Sequence, residues 1–208
     1  MIISIAILAL LIVVGQFLFM LKKDRTYFHS PPYDDYQKDS SVMVVYYSRT
    51  GNTEALARAI AREYRATILK LTEDKYTRDF KGWRAAVKDA RAKVESVEIE
   101  PDEYDLSQYS LIFLGSPIWL FRPAPPLWSF VENNDLTDKR VVLFNTFNSR
   151  FKPEEIEQFK RQVERKGGTF TNHFYIRRGR ILLQMNGKRL LNNAKLLAKR
   201  MKEEVKNP

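Results

Sequence analysis

The segment SRTGNT, residues 48–53, places hydroxyl, amide and glycine residues between an apolar run and a helical pattern. The first turn of a helix presents unpaired N–H groups and a partial positive charge, which together favour a bound anion. The hydroxyls of Ser48, Thr50 and Thr53 add hydrogen-bond donors at the same point. Gly51 would let the backbone come close to a bound group. These residues therefore predict a cradle for a phosphate.

Two alternatives compete with the phosphate cradle. An ordinary capped turn would use the side chain of Asn52 or Thr53, although a cap needs only one such residue. A Walker loop would bind a nucleoside triphosphate, but the pattern G-x-x-x-x-G-K-[ST] and its lysine are missing. The residue types therefore favour a phosphate group that belongs to a ligand other than a nucleoside triphosphate.

The composition excludes several other kinds of site. The chain has no cysteine, which rules out disulfides, thiolate metal sites and a cysteine nucleophile. Only two histidines are present, so a His-rich metal centre cannot be built and no metal site is predicted. One of them, His173, lies in the apolar run FTNHFYI and is predicted to be a packed strand residue. We identify no general acid or base, so the sequence assigns no catalytic residue.

The loop must be positioned by a sheet, because short apolar runs alternate with helical patterns from residue 41 onward. The predicted strands cover residues 42–47, 66–71, 110–116, 140–146 and 169–176. The predicted helices cover residues 53–64, about 79–94, 125–134, 153–167 and 188–205. This alternation predicts an α/β fold with parallel strands, right-handed crossovers and three layers. Ligands bind such sheets beyond the carboxyl ends of the strands, so function is expected after the first, third and fourth strands.

The loop after the first strand resembles the pattern [ST]-x-T-G-N-T of the flavodoxin-like family, in which it encloses the phosphate of FMN. Residues 104–132 also resemble the third-strand segment of that family, where the sequence after the strand holds the flavin ring. The resemblance covers about residues 41–208. It implies a flavodoxin-like three-layer sandwich, a five-stranded parallel sheet in the order 2-1-3-4-5, and FMN as the cofactor.

The resemblance implies cofactor-binding residues in three segments: loop 1 (48–53), loop 2 (115–126) and loop 3 (145–155). They are Ser48, Arg49, Thr50, Gly51, Asn52, Thr53, Pro117, Ile118, Trp119, Leu120, Thr146, Phe147 and Asn148. Trp119 is implied to stack on the flavin ring, with a core position as the alternative, whereas Trp128 is predicted to lie in the core. Loop 3 lacks the glycine-rich segment found in many family members. Its Phe147 or Phe151 could cover the second face of the ring or fill the pocket instead.

Basic residues lie near the predicted ring site and in the last third of the chain. Arg122 lies in loop 2 and Arg150 and Lys152 lie in loop 3, and positive charge there would make a bound flavin easier to reduce. The formal net charge is +10, and the whole of this excess lies in residues 139–208. That excess indicates solvated helix faces or attraction to an anionic lipid leaflet. No nucleic-acid-binding motif accompanies it, so nucleic acid is not expected as a partner.

The N-terminal residues predict a membrane anchor. Residues 2–21 are uncharged and apolar except for Ser4, Gly15 and Gln16, over a length that spans the hydrocarbon core of a bilayer as a helix. Lys22, Lys23 and Arg25 follow directly, so the positive-inside rule places the rest of the chain in the cytoplasm. The predicted division is a transmembrane helix over 1–22, a linker over 23–40 and a flavodoxin-like domain over 41–208. The aromatic residues of the linker could pack on the domain or lie at the lipid interface.

Three functions remain open from the sequence. The first is a single-pass membrane protein that binds FMN and transfers electrons near the cytoplasmic membrane face. The second is an NAD(P)H-dependent FMN oxidoreductase, an enzyme whose arginines could hold a dinucleotide phosphate. The third is a flavin-free scaffold that binds protein or anionic lipid. The expected partners are the lipid bilayer and a redox partner, either NAD(P)H or a membrane-associated acceptor.

Overall fold

The computed structural model describes residues 7, 10–12, 14–15, 18, 26–33, 39–180 and 183–206. Strands and helices alternate along the chain from Asp39 onward. The strands are β1 (Asp39–Tyr47), β2 (Ala66–Leu71), β3 (Leu111–Trp119), β4 (Arg122–Pro123), β5 (Arg140–Phe147) and β6 (Thr169–Arg177). The helices are α1 (Asn52–Tyr64), α2 (Phe80–Arg91), α3 (Pro125–Asn133), α4 (Pro153–Arg165) and α5 (Gly187–Lys206).

The sheet has the order β2-β1-β3-β5-β6, with every neighbouring pair parallel. The predicted order of the five main strands is therefore confirmed. The predicted count of five is wrong, because the two-residue strand β4 pairs antiparallel with the end of β3 and makes a sixth strand. The prolines suggested an irregular loop here. Instead β3 continues to Trp119, and the chain reverses at Leu120 and Phe121, which have φ values of 42° and 82°.

Two cores lie on opposite faces of the sheet, which confirms the predicted three layers. Because side chains alternate along a strand, Val44 and Tyr46 of β1 face one core while Met43 and Val45 face the other. Helices α1 and α5 cover the first face, and α2, α3 and α4 cover the second. Trp128 is 1% exposed in the second core, as predicted. Strands buried on both faces in this way read as continuous apolar runs, which is why the sequence shows them clearly.

Residues 26–33, inside the predicted linker, lie against the domain and are called the N-terminal strap below. The backbone N–H of Phe28 donates to the carbonyl oxygen of Thr50 at 3.0 Å. Arg58 donates to the carbonyl of Ser30 at 2.7 Å, and the hydroxyl of Tyr33 donates to a β2 carbonyl at 2.8 Å. The strap therefore runs along α1 and covers the start of that helix. Tyr36, another aromatic residue of the predicted linker, lies outside the described residues.

The predicted transmembrane helix over residues 1–22 lies mostly outside the described residues. Those that are described there, such as Ile7, Leu11 and Leu18, have helical backbone and exposed apolar side chains. Among the residues that the structure describes, no helix combines the length and apolar character needed to cross a bilayer.

The contact between strap and loop 1 leads to a prediction for Gly51. Its φ is +81°, and a Cβ at this position would overlap the carbonyl oxygen of Phe28. Substitution Gly51→Ala should lower the free energy of unfolding by at least ~1–2 kcal/mol, because an L-residue is strained at this φ and the strap must move. Urea unfolding of the full chain in detergent measures the change.

Gly15→Ala is the matched control, because a Cβ there meets no atom within 4 Å. Equal unfolding midpoints for Gly51→Ala and the wild type would contradict the close packing of the strap on loop 1.

Candidate functional site

A cavity of about 260 Å³ lies beyond the carboxyl ends of β1, β3 and β5. β1 has β2 on one side and β3 on the other, so this is where the direction of the crossovers reverses and where ligands of such sheets bind. All the residues predicted to bind a cofactor line this cavity except Gly51, which faces the strap. The structure thus brings the three predicted segments together. Their role towards a cofactor stays a prediction.

The start of helix α1 forms one side of the cavity, which we call the polar end. Gly51 is the N-cap residue, and among the described residues no side chain accepts a hydrogen bond from the first turn as a cap. Asn52 instead donates from its amide to the hydroxyl of Thr50 at 2.8 Å. The capped-turn alternative is therefore wrong. The first N–H groups of α1 keep their hydrogen-bonding capacity, beside Ser48 and Thr50, for a bound anion.

The hydroxyl of Thr53 has an internal role that loop 1 alone did not indicate. It lies 2.8 Å from the hydroxyl of Thr146, and both side chains are buried. This contact joins the first turn of α1 to the end of β5. It fixes loop 1 against loop 3. The hydroxyls of Ser48 and Thr50 take no part in this contact and can donate to a ligand.

Arg49 ties loop 1 to the chain that precedes α2. Its Nε donates to the carbonyl oxygen of Tyr76 at 3.0 Å, and its Nη2 donates to that of Thr77 at 2.7 Å. The guanidinium is thus oriented by backbone carbonyls while it lines the cavity. These hydrogen bonds tie loop 1 to the backbone of the segment between β2 and α2.

Apolar side chains form the opposite side of the cavity, which we call the apolar end. Trp119 is half-buried and packs edge-on against Tyr47 and Tyr76, with ring centroids 5.7 Å and 5.0 Å apart. Ile118 and Trp119 both pack on the core beneath α2, α3 and α4. Trp119 is therefore held in one orientation while it still contributes to the cavity wall.

Four lining residues were not predicted: Trp83, Ala86, Val87 and Arg178. The first three belong to α2, whereas the prediction considered only loops that follow strands. Their spacing of i, i+3 and i+4 marks one face of a helix and could have indicated a shared surface. Arg178 directly follows β6, a strand end that the prediction did not consider.

Loop 3 does not fill the cavity. Phe147 lines it, while Phe151 is not among the lining residues and packs edge-on against Phe147 with ring centroids 5.6 Å apart. Phe151 also contacts His173 and Tyr175, at 5.0 Å and 5.3 Å between centroids. The bulky aromatic residues of loop 3 therefore pack mainly on one another and on β6, which leaves the cavity open.

His173 is a packed strand residue, as predicted. Its Nε2 lies 2.8 Å from Oδ1 of Asn145, whose Nδ2 donates to the carbonyl of Ser116 at 2.8 Å. Because Oδ1 can only accept, Nε2 of His173 carries the proton and donates. Burial lowers the pKa of His173 from 6.5 to about 4, so the imidazole is neutral at pH 7. The chain Ser116–Asn145–His173 joins β3, β5 and β6 behind loop 3.

Arg122 was expected to add positive charge beside a bound flavin, and the structure does not show this. Arg122 is 1% exposed and forms ion pairs with Glu95 at 2.8 Å and Glu155 at 3.2 Å. Its charge is therefore compensated, and it does not line the cavity.

The other two predicted cations, Arg150 and Lys152, lie over the ring of Phe121 in loop 2, at 5.3 Å and 5.5 Å from its centroid. The expected shift of a flavin potential now depends on these two cations.

Comparisons with known proteins agree on the fold. A family model described as Flavodoxin matches residues 41–179. A putative flavoprotein from Bacteroides uniformis ATCC 8492 is 20% identical with a TM-score of 0.62, over 76% of this chain and 97% of that one. A flavoprotein from Lactobacillus acidophilus NCFM, solved in complex with FMN, is 22% identical with a TM-score of 0.55, over 65% and 92%. A putative flavoprotein from Bacteroides eggerthii DSM 20697 is 18% identical with a TM-score of 0.53, over 76% and 98%. At these identities the structures show a shared fold; a search of curated proteins found no match.

The buried histidine leads to a prediction for acid stability. As the pH falls below 6.5 the unfolded chain binds a proton at His173, whereas the folded protein does so only near pH 4. The contribution of neutral His173 to the free energy of unfolding is therefore fully present above pH 6.5. It is lost on acidification, by ~2 kcal/mol at about pH 4.5. His173→Gln keeps an N–H donor for Asn145 and should remove that part of the loss. Urea unfolding at pH 7 and pH 4.5 measures it.

His29→Gln is the control, because His29 is exposed on the strap. An unchanged difference between the two pH values in His173→Gln would show that the acid sensitivity arises elsewhere.

Proposed function

The chain belongs to the flavodoxin family, and on that premise we propose that it binds FMN and acts as a redox protein. One observation carries the proposal: helix α1 begins without a side-chain cap at the polar end of a cavity whose apolar end holds two indole rings. The L. acidophilus flavoprotein that shares this fold is described in complex with FMN. A phosphate at one end and an aromatic ring system at the other match the two ends of the cavity.

The residues present at the polar end fit a phosphate. The first N–H groups of α1 and the hydroxyls of Ser48 and Thr50 are donors around one point. Two arginines line the cavity, and none of its described lining residues is acidic. A dianionic group there meets donors and positive charge; Glu73, which interacts electrostatically with Arg49, lies outside the lining. Loop 1 is also held rigidly through Thr53 and Arg49, which reduces the entropy lost when a ligand binds.

The apolar end fits a flavin ring. Trp83 and Trp119 line it, and the packing of Trp119 on two tyrosines fixes its orientation before a ligand binds. Burying an apolar ring contributes about 25 cal/mol per Å² removed from water, and aromatic stacking adds ~0.5–1.5 kcal/mol. When bound, FMN supplies the oxidation and reduction chemistry. The protein's residues bind the ring, orient it and exclude water from one side.

The turn at Leu120 and Phe121 lies next to the cavity and is strained. Both residues have positive φ, and Leu120 is 44% exposed, a costly combination for bulky apolar residues. The carbonyl of Phe121 accepts a hydrogen bond from the N–H of Lys152 at 2.9 Å, which holds the turn in place. We propose that a redox partner approaches here, where it meets exposed apolar surface beside the cations of loop 3.

A second candidate function is an NAD(P)H-dependent FMN oxidoreductase. The observation that favours it is the pair Arg150 and Lys152 over the ring of Phe121, because such cations beside a flavin site could bind a dinucleotide phosphate. In that case the chain is an enzyme. If the first candidate function holds, the chain is an electron carrier that passes electrons from one protein to another or to a membrane-associated acceptor.

We further propose that the N-terminal apolar residues hold the domain at the cytoplasmic face of a membrane. The described side chains in this segment are apolar and exposed to solvent, which is unfavourable outside a lipid environment. Lys22, Lys23 and Arg25 follow the segment, and the basic residues of the last third add attraction to anionic lipid. The bilayer is therefore the first partner that we assign.

The cofactor proposal predicts bound flavin. The full chain purified in detergent should show flavin absorbance, and the apoprotein should quench the fluorescence of added FMN. Trp119→Ala should weaken FMN binding about 10-fold or more, because it removes a stacking surface and apolar contact area. Leu196→Ala is the control, since this exposed apolar residue of α5 lies outside the cavity. Colourless protein whose mixing with FMN gives neither quenching nor heat would refute FMN binding.

The two candidate functions differ in a steady-state assay. Oxidation of NADH or NADPH by the FMN-loaded protein, with oxygen or a quinone as acceptor, is expected only of the oxidoreductase. Exchanging both Arg150 and Lys152 for glutamine should then raise the KM for the dinucleotide and leave the FMN content unchanged, because neither residue lines the cavity. No turnover with either nucleotide supports the electron carrier.

A further inference from the structure

Arg178 is held in place by its own backbone, directly beyond β6. Its N–H donates to the carbonyl of Phe147 at 2.7 Å, and its carbonyl accepts from the N–H of Met185 at 2.7 Å. The returning chain is fixed in turn by Gln184, whose amide donates to the side-chain oxygen of Asn148 at 3.0 Å. These contacts direct the side chain of Arg178 to the cavity, which it lines.

Among the described residues, the guanidinium of Arg178 has no counter-charge. Its Nε is buried without a hydrogen-bond partner, and no carboxylate in the described part of the chain forms an ion pair with it. Burial lowers the pKa of Arg178 to about 10, so the group is still positively charged at neutral pH. Arg178 is half-buried, and a partly desolvated charge without a partner is costly in a folded protein. An anion in the adjoining cavity would compensate it.

Arg178 lies on the side of the sheet that carries loop 1. The chain runs from Arg178 to Gly187 at the start of α5, and α5 covers the same face as α1. The strap residue Phe28 contacts both Gly51 and Gly187, which places the starts of these two helices side by side. Met185 packs on this core, whereas Trp119 packs on the opposite one. The guanidinium therefore belongs to the polar end of the cavity.

We propose that Arg178 binds the phosphate of FMN and makes the site selective for the phosphorylated flavin over riboflavin. This inference rests on the proposed function. The planar guanidinium offers parallel N–H donors that match phosphate oxygens, and it adds a full positive charge to the neutral donors of loop 1. The second arginine of the cavity, Arg49, already donates to the carbonyls of two residues before α2. Riboflavin has no anionic group to pair with Arg178.

The test compares dissociation constants for FMN and riboflavin. Quenching of flavin fluorescence gives both values for the full chain and its variants at one fixed salt concentration and pH. Arg178→Gln should weaken FMN binding about 10- to 100-fold and leave riboflavin binding unchanged, because only FMN loses a charged hydrogen bond. Arg178→Lys keeps the charge without the paired donors and should fall in between. Arg180→Gln is the matched control, since Arg180 is exposed in the same turn.

The thermal stability of the apoprotein separates ligand binding from a purely structural role. Arg178→Gln removes a partly desolvated charge that pairs with no described carboxylate, so the apoprotein should unfold at the same temperature or higher. A residue that only supported the turn would lower this temperature. Added FMN should then raise the unfolding temperature of the wild type more than that of the variant.

The possible results separate the failure of this inference from that of the proposed function. If wild type binds neither flavin, both fail. If wild type binds FMN but Arg178→Gln binds it equally well, or loses both flavins equally, the role of Arg178 is refuted and FMN binding stands. If Arg178→Gln does not fold, Arg178→Lys decides: an unchanged ratio of the two dissociation constants in that variant refutes selectivity through the guanidinium.

Discussion

The site depends on one backbone arrangement, the start of helix α1 on a glycine of positive φ. Gly51 turns the chain from β1 into α1 so that the first N–H groups of the helix face the cavity without a side-chain cap. A capped helix would have satisfied these donors within the protein. The same glycine allows the strap to pass over the loop, so the cradle is closed from behind by Phe28. Anion binding and the packing of the strap thus both require a glycine at position 51.

The polar end and the apolar end of the cavity lie on opposite sides of the central sheet. Loop 1, the turn after β6 and the starts of α1 and α5 lie on one side of the sheet and supply donors and positive charge. Trp83, Trp119 and the α2 face lie on the other side and supply apolar surface. A ligand with an anionic head and a flat ring system can therefore be bound across the edge of the sheet. The sheet itself keeps the two ends at a fixed distance.

Local sequence patterns predicted the strands and a site at their carboxyl ends, because buried parallel strands and strand-to-loop transitions leave short-range signals. The sheet order and the individual lining residues came from the family resemblance. What they missed depends on contacts between distant residues. The ion pair of Arg122 with Glu95 joins positions 27 residues apart, and no local pattern indicates it. Trp83 was missed because only loops were considered, although the spacing of residues on its helix could have indicated a shared surface. Arg178 has no local signal, since its importance follows from the lack of an ion-pair partner in the part of the chain that the structure describes.

The strap determines how far the domain could move from a membrane. A flexible linker over residues 23–40 could span about 60 Å, but docking of residues 26–33 on α1 leaves residues 23–25, which span at most about 11 Å. In the anchored protein that we propose, the domain is therefore confined to a thin layer at the lipid headgroups. Encounters with other membrane-bound proteins then become a search in two dimensions, and a soluble partner must reach the bilayer surface to exchange electrons.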